Sequence, residues 1–196
     1  MQGLNFICAY LIFMFGSEEY LAFEIFLRMM NLESKLFKMP YKNMITDEFP
    51  LLNLYFKKFN KILQNHHEDL FIKFNEYEFN LYLWLSKWLQ TLFAHDFNYY
   101  VVTRLWDIII AEDMDIIILI SVYLVEFQKE EFLQCESIEE LLEVTKNLYA
   151  FDFNKNLKLI DYIVRNIQKK KYFEEINKSV GKTMLICGVC NEREDD

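Results

Sequence analysis

The stretch 81–93 limits the possible folds more than any other part of this chain. Leu81, Trp84, Leu85, Trp88, Leu89, Leu92 and Phe93 cover most of a helix circumference, and Ser86, Lys87, Gln90 and Thr91 leave only a narrow polar stripe. A helix that is apolar nearly all round has to be packed on several sides. Its neighbours in sequence must therefore supply elements to cover it. Residues 101–110 repeat the arrangement, with Thr103, Arg104 and Asp107 as the polar edge. Residues 108–110 and 116–118 are β-branched, and propensity alone would allow strands there. The run 115–129 is too long and continuous for a typical strand and reads as a buried helix. Only 4 Gly and 2 Pro punctuate 196 residues. Turn-rich sandwiches and barrels use more, so the expected class is all-α, a multi-helix bundle joined by polar connections.

The remaining helices follow from spacing. Residues 5–14 form the first, broken by Gly16 and Ser17, with Ser17 placed to cap the next helix ahead of Glu18 and Glu19. Phe23, Phe26, Leu27 and Met30 make its inward face by their three- and four-residue spacing. Residues 31–47 contain Pro40 and read as a connection with one helical turn. Pro50 suits the first turn of a helix, where its missing N–H has no partner to lose. Leu52, Tyr55, Phe56, Phe59, Ile62 and Leu63 continue as one stripe to the Asn65-His66-His67 end, and a short helix follows over 68–74. Ser137 and Glu140 form a capping-box pattern ahead of Leu141, Leu142, Thr145 and Leu148. A last helix over 154–169 turns Leu157, Ile160, Ile163, Val164 and Ile167 inward. The domain is expected over 1–169, with 170–196 as a charged tail.

Composition excludes several classes. Hydrophobic residues make up 53% of the chain and aromatics 17%, ample for a core and far from disorder. A net charge of -9 repels phosphate backbones, and Lys169-Lys170-Lys171 is followed at once by Glu174 and Glu175, so no nucleic-acid partner is expected. The apolar runs 6–15 and 116–125 are too short to span a bilayer, so no transmembrane segment is expected. Four cysteines give no disulfide framework, which fits a reducing compartment.

Gln2-Gly3-Leu4-Asn5 resembles the Tyr-x-Gln-Gly-Met-Asn motif of the TBC family of Rab GTPase-activating domains, with Leu4 in place of the usual Met and the motif's Tyr falling before Met1. Trp88-x4-Phe93 followed by Arg104-Leu105-Trp106-Asp107 is similar to the pattern of that family's later helices, in order and spacing. The resemblance covers about residues 1–150 and implies a curved all-helical bundle of the TBC type, N-terminally incomplete. It implies a partner, a Rab-type small GTPase carrying GTP and Mg²⁺, and no cofactor in the domain itself. Members stimulate GTP hydrolysis with an arginine and a glutamine supplied in trans. The cation neutralises charge developing on the phosphoryl oxygens, and the amide orients the attacking water. Gln2 occupies the glutamine position, which makes Gln2 the expected catalytic residue, with Gly3 and Asn5 beside it as partner-binding residues.

The family's arginine belongs to an earlier Ile-x-x-Asp-x-x-Arg motif, and these 196 residues contain no such sequence. That group contributes a factor of about 10³ to 10⁵ in rate, or roughly 4 to 7 kcal/mol. Gln2 lies at the start of the chain, where residues are poorly held. Little activity is therefore expected from these residues by themselves, and apolar faces that the family's earlier helices would cover are expected to be exposed. The alternative is a non-catalytic helical protein-binding module, a pseudo-GAP scaffold. The implied setting is membrane traffic, with a cytoplasmic address or one peripheral on endomembranes through partners.

Other residues carry two readings. Arg104 and Asp107, three apart on a helix face, could contact the GTPase or form a structural ion pair. Trp84, Trp88 and Trp106 read as core rather than a ligand cage. His66, His67 and His95 lack a paired metal spacing, and Cys187-x-x-Cys190 is half a zinc or redox motif without a second pair, so no metal site is expected. No Gly-rich phosphate loop, Gly-x-Ser-x-Gly or nucleophile–base pair is present. The chemistry expected is activation of a GTPase, with no substrate pocket of the chain's own.

Overall fold

Every residue from position 116 to 125 is buried in the computed structural model of the chain, which describes residues 3–16 and 18–177. Those ten residues belong to one helix, so length decides over β-propensity here, as the sequence predicts. In chain order the described residues form α1 (Leu4–Phe15), α2 (Glu19–Met30), a two-residue hairpin of β1 (Glu33–Ser34) and β2 (Met39–Pro40), a 3-10 turn (Tyr41–Met44), α3 (Pro50–His66), α4 (Glu68–Glu76), α5 (Leu81–Thr91), α6 (Tyr99–Ala111), α7 (Ile116–Phe127), α8 (Lys129–Gln134), α9 (Ile138–Tyr149), α10 (Phe153–Gln168) and α11 (Phe173–Asn177). The fold is all-α. Helix α7 is its axis, packed by α3, α5, α6 and α10, while α1 pairs with α2 and reaches α5. Among the described residues no helix is long and apolar enough to cross a membrane.

Helix ends follow the sequence signals with two exceptions. Gly16 ends α1 at φ 59°, ψ −120°, a conformation that glycine reaches without Cβ strain. Pro50 opens α3, and Asn80, Asn98, Ser137 and Asp152 cap their helices through side-chain oxygens. The N-cap position of α2 is Glu18, without a side-chain capping bond, and the expected cap Ser17 lies outside the described residues. At α9 the Ser137 hydroxyl accepts from the Glu140 N–H at 3.3 Å, but Glu140 reaches back to the Glu136 N–H, at 2.7 Å, one residue before the position a capping box uses.

Two inward faces differ from the predicted stripes. On α2, Phe23 and Leu27 face solvent while Ala22, Met29 and Met30 are buried and Ile25 and Phe26 pack against the core. The face is rotated by about one residue, roughly 100°, toward the side that carries Ala22. On α10, Leu157 is exposed and Asn156, Leu159, Ile163, Asn166 and Ile167 are inward. Two asparagines on the buried face mask the periodicity there. The side chain of Asn166 satisfies itself by donating to the Tyr162 carbonyl at 2.9 Å.

A buried carboxylate pins the hairpin. Asp115, 4% exposed, accepts from the Ser34 hydroxyl at 2.6 Å, the Tyr55 hydroxyl at 2.6 Å and the Leu36 N–H at 3.0 Å. Residues 31–47 are thereby tied to α3 and to the start of α7. The packed structure also runs past the expected boundary at 169. Residues 170–177 turn back across the bundle, α11 lies on α3, and Ile176 is buried.

An apolar face is open at the α1–α2 end. Phe13 is 72% exposed, Tyr20 81% and Phe23 58%, with Ile12, Leu21 and Leu27 around them.

Candidate functional site

The two stretches of sequence that resemble the TBC family meet in space. Helix α5 ends in an unusual turn, because Leu92 and Phe93 both have left-handed backbones, φ 49° and 68°. Such residues are strained unless their surroundings fix them, and here both side chains are fully buried. The Phe93 N–H donates to the Trp88 carbonyl at 2.9 Å, and the Trp106 indole N–H donates to the Leu92 carbonyl at 2.9 Å. Thus Trp88, Phe93 and Trp106, spaced along the sequence motif, build and lock one turn. The core reading of the three tryptophans holds, since Trp84, Trp88 and Trp106 are all buried.

Thr91, at the end of α5, and His95, just past that turn, meet the first turns of α1. Gly3 stands at the head of α1 with φ 108°, and a Cβ there would lie 3.0 Å from the Thr91 methyl and 3.9 Å from the Gln90 carbonyl. The backbone angle favours glycine, and a side chain there would also press on the Thr91 methyl. Three residues on, the Phe6 ring meets the His95 ring edge-on at 4.5 Å between centroids. One turn further, the Tyr10 hydroxyl donates to the Phe97 carbonyl at 2.8 Å, and Tyr10 stacks on Tyr99 at 5.7 Å. Burial is the larger cause, and Tyr99 the smaller, of a Tyr10 hydroxyl pKa raised above its ordinary value. It stays a donor at neutral pH. His95 itself is fixed by its backbone N–H on the Thr91 hydroxyl, 3.2 Å, and by Nδ1 on the Asp96 carboxylate, 2.6 Å.

Of the residues expected to act, Gln2 lies outside the described residues. Gly3 is half-buried in the seat just described, and Asn5 is exposed on the first turn of α1. Arg104 and Asp107 project from the outer face of α6 and pair with each other at 3.2 Å, with side chains 56% and 67% exposed. The Arg104 guanidinium also sits 6.0 Å over the Tyr100 ring. An ion pair this exposed contributes little to stability. The structure thus brings Gly3 together with the end of α5 and leaves the Arg104–Asp107 pair exposed on α6.

Nothing in the sequence marks Thr91, His95 and Asp96 as neighbours of the Gln2-Gly3-Leu4-Asn5 motif. Thr91 was expected on a polar stripe, yet it is buried, its hydroxyl donating to the Lys87 carbonyl at 2.6 Å while its methyl underlies Gly3. The available signal was Thr91's place in the last turn of a helix otherwise apolar on all sides. Among the described residues no group of three His, Cys, Asp or Glu side chains could hold a metal ion. Cys187 and Cys190 lie outside the described residues.

A family model described as the Rab-GTPase-TBC domain matches residues 1–133. Among curated proteins, TBC1 domain family member 1 of Bos taurus is 26% identical over 146 residues, 74% of this chain and 12% of that protein. Ecotropic viral integration site 5 protein homolog of Homo sapiens is 24% identical over 181 residues, 92% of this chain and 21% of that protein. Rab GTPase-activating protein eat-17 of Caenorhabditis elegans is 26% identical over 178 residues, 89% of this chain and 19% of that protein. The chain spans about a fifth or less of the length of these relatives.

Proposed function

Because the chain belongs to the Rab-GTPase-TBC domain family, we propose that it acts on a Rab-type small GTPase, accelerating GTP hydrolysis in trans through the side chain of Gln2. GTP and Mg²⁺ are carried by the partner, and the domain needs no cofactor of its own. The Gln2 amide orients the attacking water, and the arginine of the family's pair comes from outside the 196 residues, which hold no Ile-x-x-Asp-x-x-Arg. Exposed Asn5, Arg104 and Asp107 and the backbone at Gly3 provide partner contacts. The setting is the cytoplasm, with a place on endomembranes gained through partners.

One observation carries this reading: the residue after Gln2 sits at φ 108° against Thr91, the residue before the turn that Trp88, Phe93 and Trp106 build far along the chain. A catalytic amide has to be placed to within about half an ångström on a supported element. That the end of α5, within the family's motif, lies against Gly3 supports the reading. The lack of the arginine motif favours a second reading, a helical module that binds a GTPase without accelerating it.

Single-turnover GTP hydrolysis over a panel of Rab proteins separates the two. It is measured with these residues alone and with any coding sequence in frame ahead of Met1. Acceleration that Gln2→Ala abolishes supports the catalytic reading. Binding to the GTP form without acceleration by either protein supports the module.

A further inference from the structure

We propose that residues 170–177 form a proton-sensitive latch on Glu126. The Lys171 ammonium holds this strap to the carboxylate while His67 is neutral. A proton on His67 takes the carboxylate over and releases the strap, while the bundle beneath stays folded.

Three groups converge on one oxygen. The Lys171 ammonium pairs with Glu126 Oε1, the Tyr172 hydroxyl lies 3.4 Å from it, and His67 Nε2 lies 3.9 Å from it. The Tyr172 hydroxyl is also 2.9 Å from His67 Nε2. With a neutral imidazole the charges balance, because Glu126 is matched by Lys171, and nearby Lys129 by Asp69 at 2.6 Å. Burial first, and then Glu126, push the hydroxyls of Tyr123, Tyr162 and Tyr172 above their ordinary value, so all three stay uncharged. A charge on His67 is therefore a second cation on one carboxylate, in a site where water screens little. The imidazolium also carries an N–H on each nitrogen. His67 Nδ1 is buried and has no hydrogen-bond partner, so one of those donors is unsatisfied while Tyr172 stands against the ring.

The strap is the member that gives way. Of residues 170–177 only Ile176 is buried, whereas α7 is buried along ten consecutive residues. Lys170 and Tyr172 have left-handed backbones, φ 51° and 63°, a conformation that has to be held by contacts. The Tyr123 hydroxyl on the Lys171 carbonyl is one such contact, and the Lys171–Glu126 pair is the charged one. A segment so lightly buried opens locally at far lower cost than the core. His66, 3.6 Å from Glu175, works in the opposite sense, because that pair exists only when the imidazole is charged. By linkage the antagonism is reciprocal: docked Lys171 weakens proton binding at His67, and the proton weakens docking. Burial lowers the His67 pKa below 6.5, Glu126 opposes the shift, and Lys129 and Lys171 add to it. Docking therefore contributes fully above pH 6.5 and is lost as the pH falls below it.

The test uses the full chain and two variants, His67→Gln and Lys171→Gln. Hydrogen exchange resolved by peptide, corrected for the intrinsic effect of pH, reads the latch directly. In the wild type, protection of residues 170–177 falls on the order of tenfold from pH 7 to pH 5, with α5 and α7 unchanged. His67→Gln cannot titrate there, so its strap keeps the same protection across that range. In Lys171→Gln the strap is poorly protected at both pH values, while α7 stays protected and shows that the bundle is folded. Proton NMR of the imidazole C–H signals follows the 3 histidines of the chain. By reciprocity, His67 titrates at higher pH in Lys171→Gln than in the wild type. Four results each overturn the latch: a wild-type strap indifferent to pH, a loss shared equally by α7, the same loss in His67→Gln, or a His67 in Lys171→Gln that titrates at or below its wild-type value.

Discussion

At the scale of single residues, the informative positions are those where one atom serves two elements. The Trp106 indole is one, because its N–H satisfies the carbonyl of Leu92, a fully buried residue in left-handed backbone. Trp106→Phe keeps a large ring in place but leaves that carbonyl unpaired, and should cost about 1–3 kcal/mol, read from urea unfolding. Trp84→Phe is the useful contrast. Its indole nitrogen has no hydrogen-bond partner, so the loss there is packing alone and should be smaller. Gly3→Ala tests the other side of the seat. It meets both the φ of 108° and the Thr91 methyl at 3.0 Å, and a loss of about 1–2 kcal/mol is expected. The Gln-Gly pair could be read from the sequence as a motif. Its physical reason could not, since the Thr91 contact joins positions 88 residues apart.

At the scale of elements, the buried Asp115 decides whether the 31–47 connection is ordered. Three donors converge on it, from β1, from the hairpin turn and from α3. Burial first, then the Asp115 charge, pushes the Tyr55 hydroxyl well above its ordinary pKa, so that group remains a donor. Asp115→Ala strands all three and should cost about 3 kcal/mol. Asp115→Asn should recover only part, because its amide NH₂ must face one of the donors. Equal stability of Asp115→Ala and wild type in chemical denaturation would contradict this account. Helices α3, α5 and α7 were legible because their apolar residues outnumber any ambiguity of period. The hairpin was not, because a two-residue ladder has no period and owes its existence to a carboxylate 81 residues from Ser34. The α2 and α10 faces were partly legible. Phe23, Leu27 and Leu157 are apolar at helical spacing yet exposed, and hydrophobicity alone does not say which of two adjacent stripes a neighbour will cover.

At the scale of the whole molecule, two features govern behaviour in solution. The open face of Phe13, Tyr20 and Phe23 should drive self-association, seen as concentration-dependent elution in size exclusion. Phe23→Ser should shift the protein toward monomer without lowering its melting temperature, because that side chain lies outside the core. The second feature is the strap of residues 170–177. The Lys171 ammonium and the Tyr172 hydroxyl meet Glu126, the Tyr123 hydroxyl donates to the Lys171 carbonyl at 2.5 Å, and the Tyr172 hydroxyl lies 2.9 Å from His67 Nε2. His67, 5% exposed, therefore stands where α3, α4, α7 and the strap converge. Burial lowers its pKa below the ordinary 6.5. Glu126 opposes that, Lys129 and Lys171 add to it, and Asp69 opposes more weakly. The folded state thus holds the His67 proton less tightly than the unfolded chain does. The stabilising contribution is present above pH 6.5, where both states are neutral, and is lost as pH falls below 6.5 toward the lower folded value. Stability should decline from pH 7 to pH 5, with loss of protection in the strap, where Tyr172 shares its hydroxyl with the ring. His67→Gln keeps a neutral polar group there and cannot titrate, so its denaturation midpoint should fall less over the same range. Identical pH slopes for the two proteins would mean that the decline arises elsewhere and that the strap is indifferent to the charge on His67.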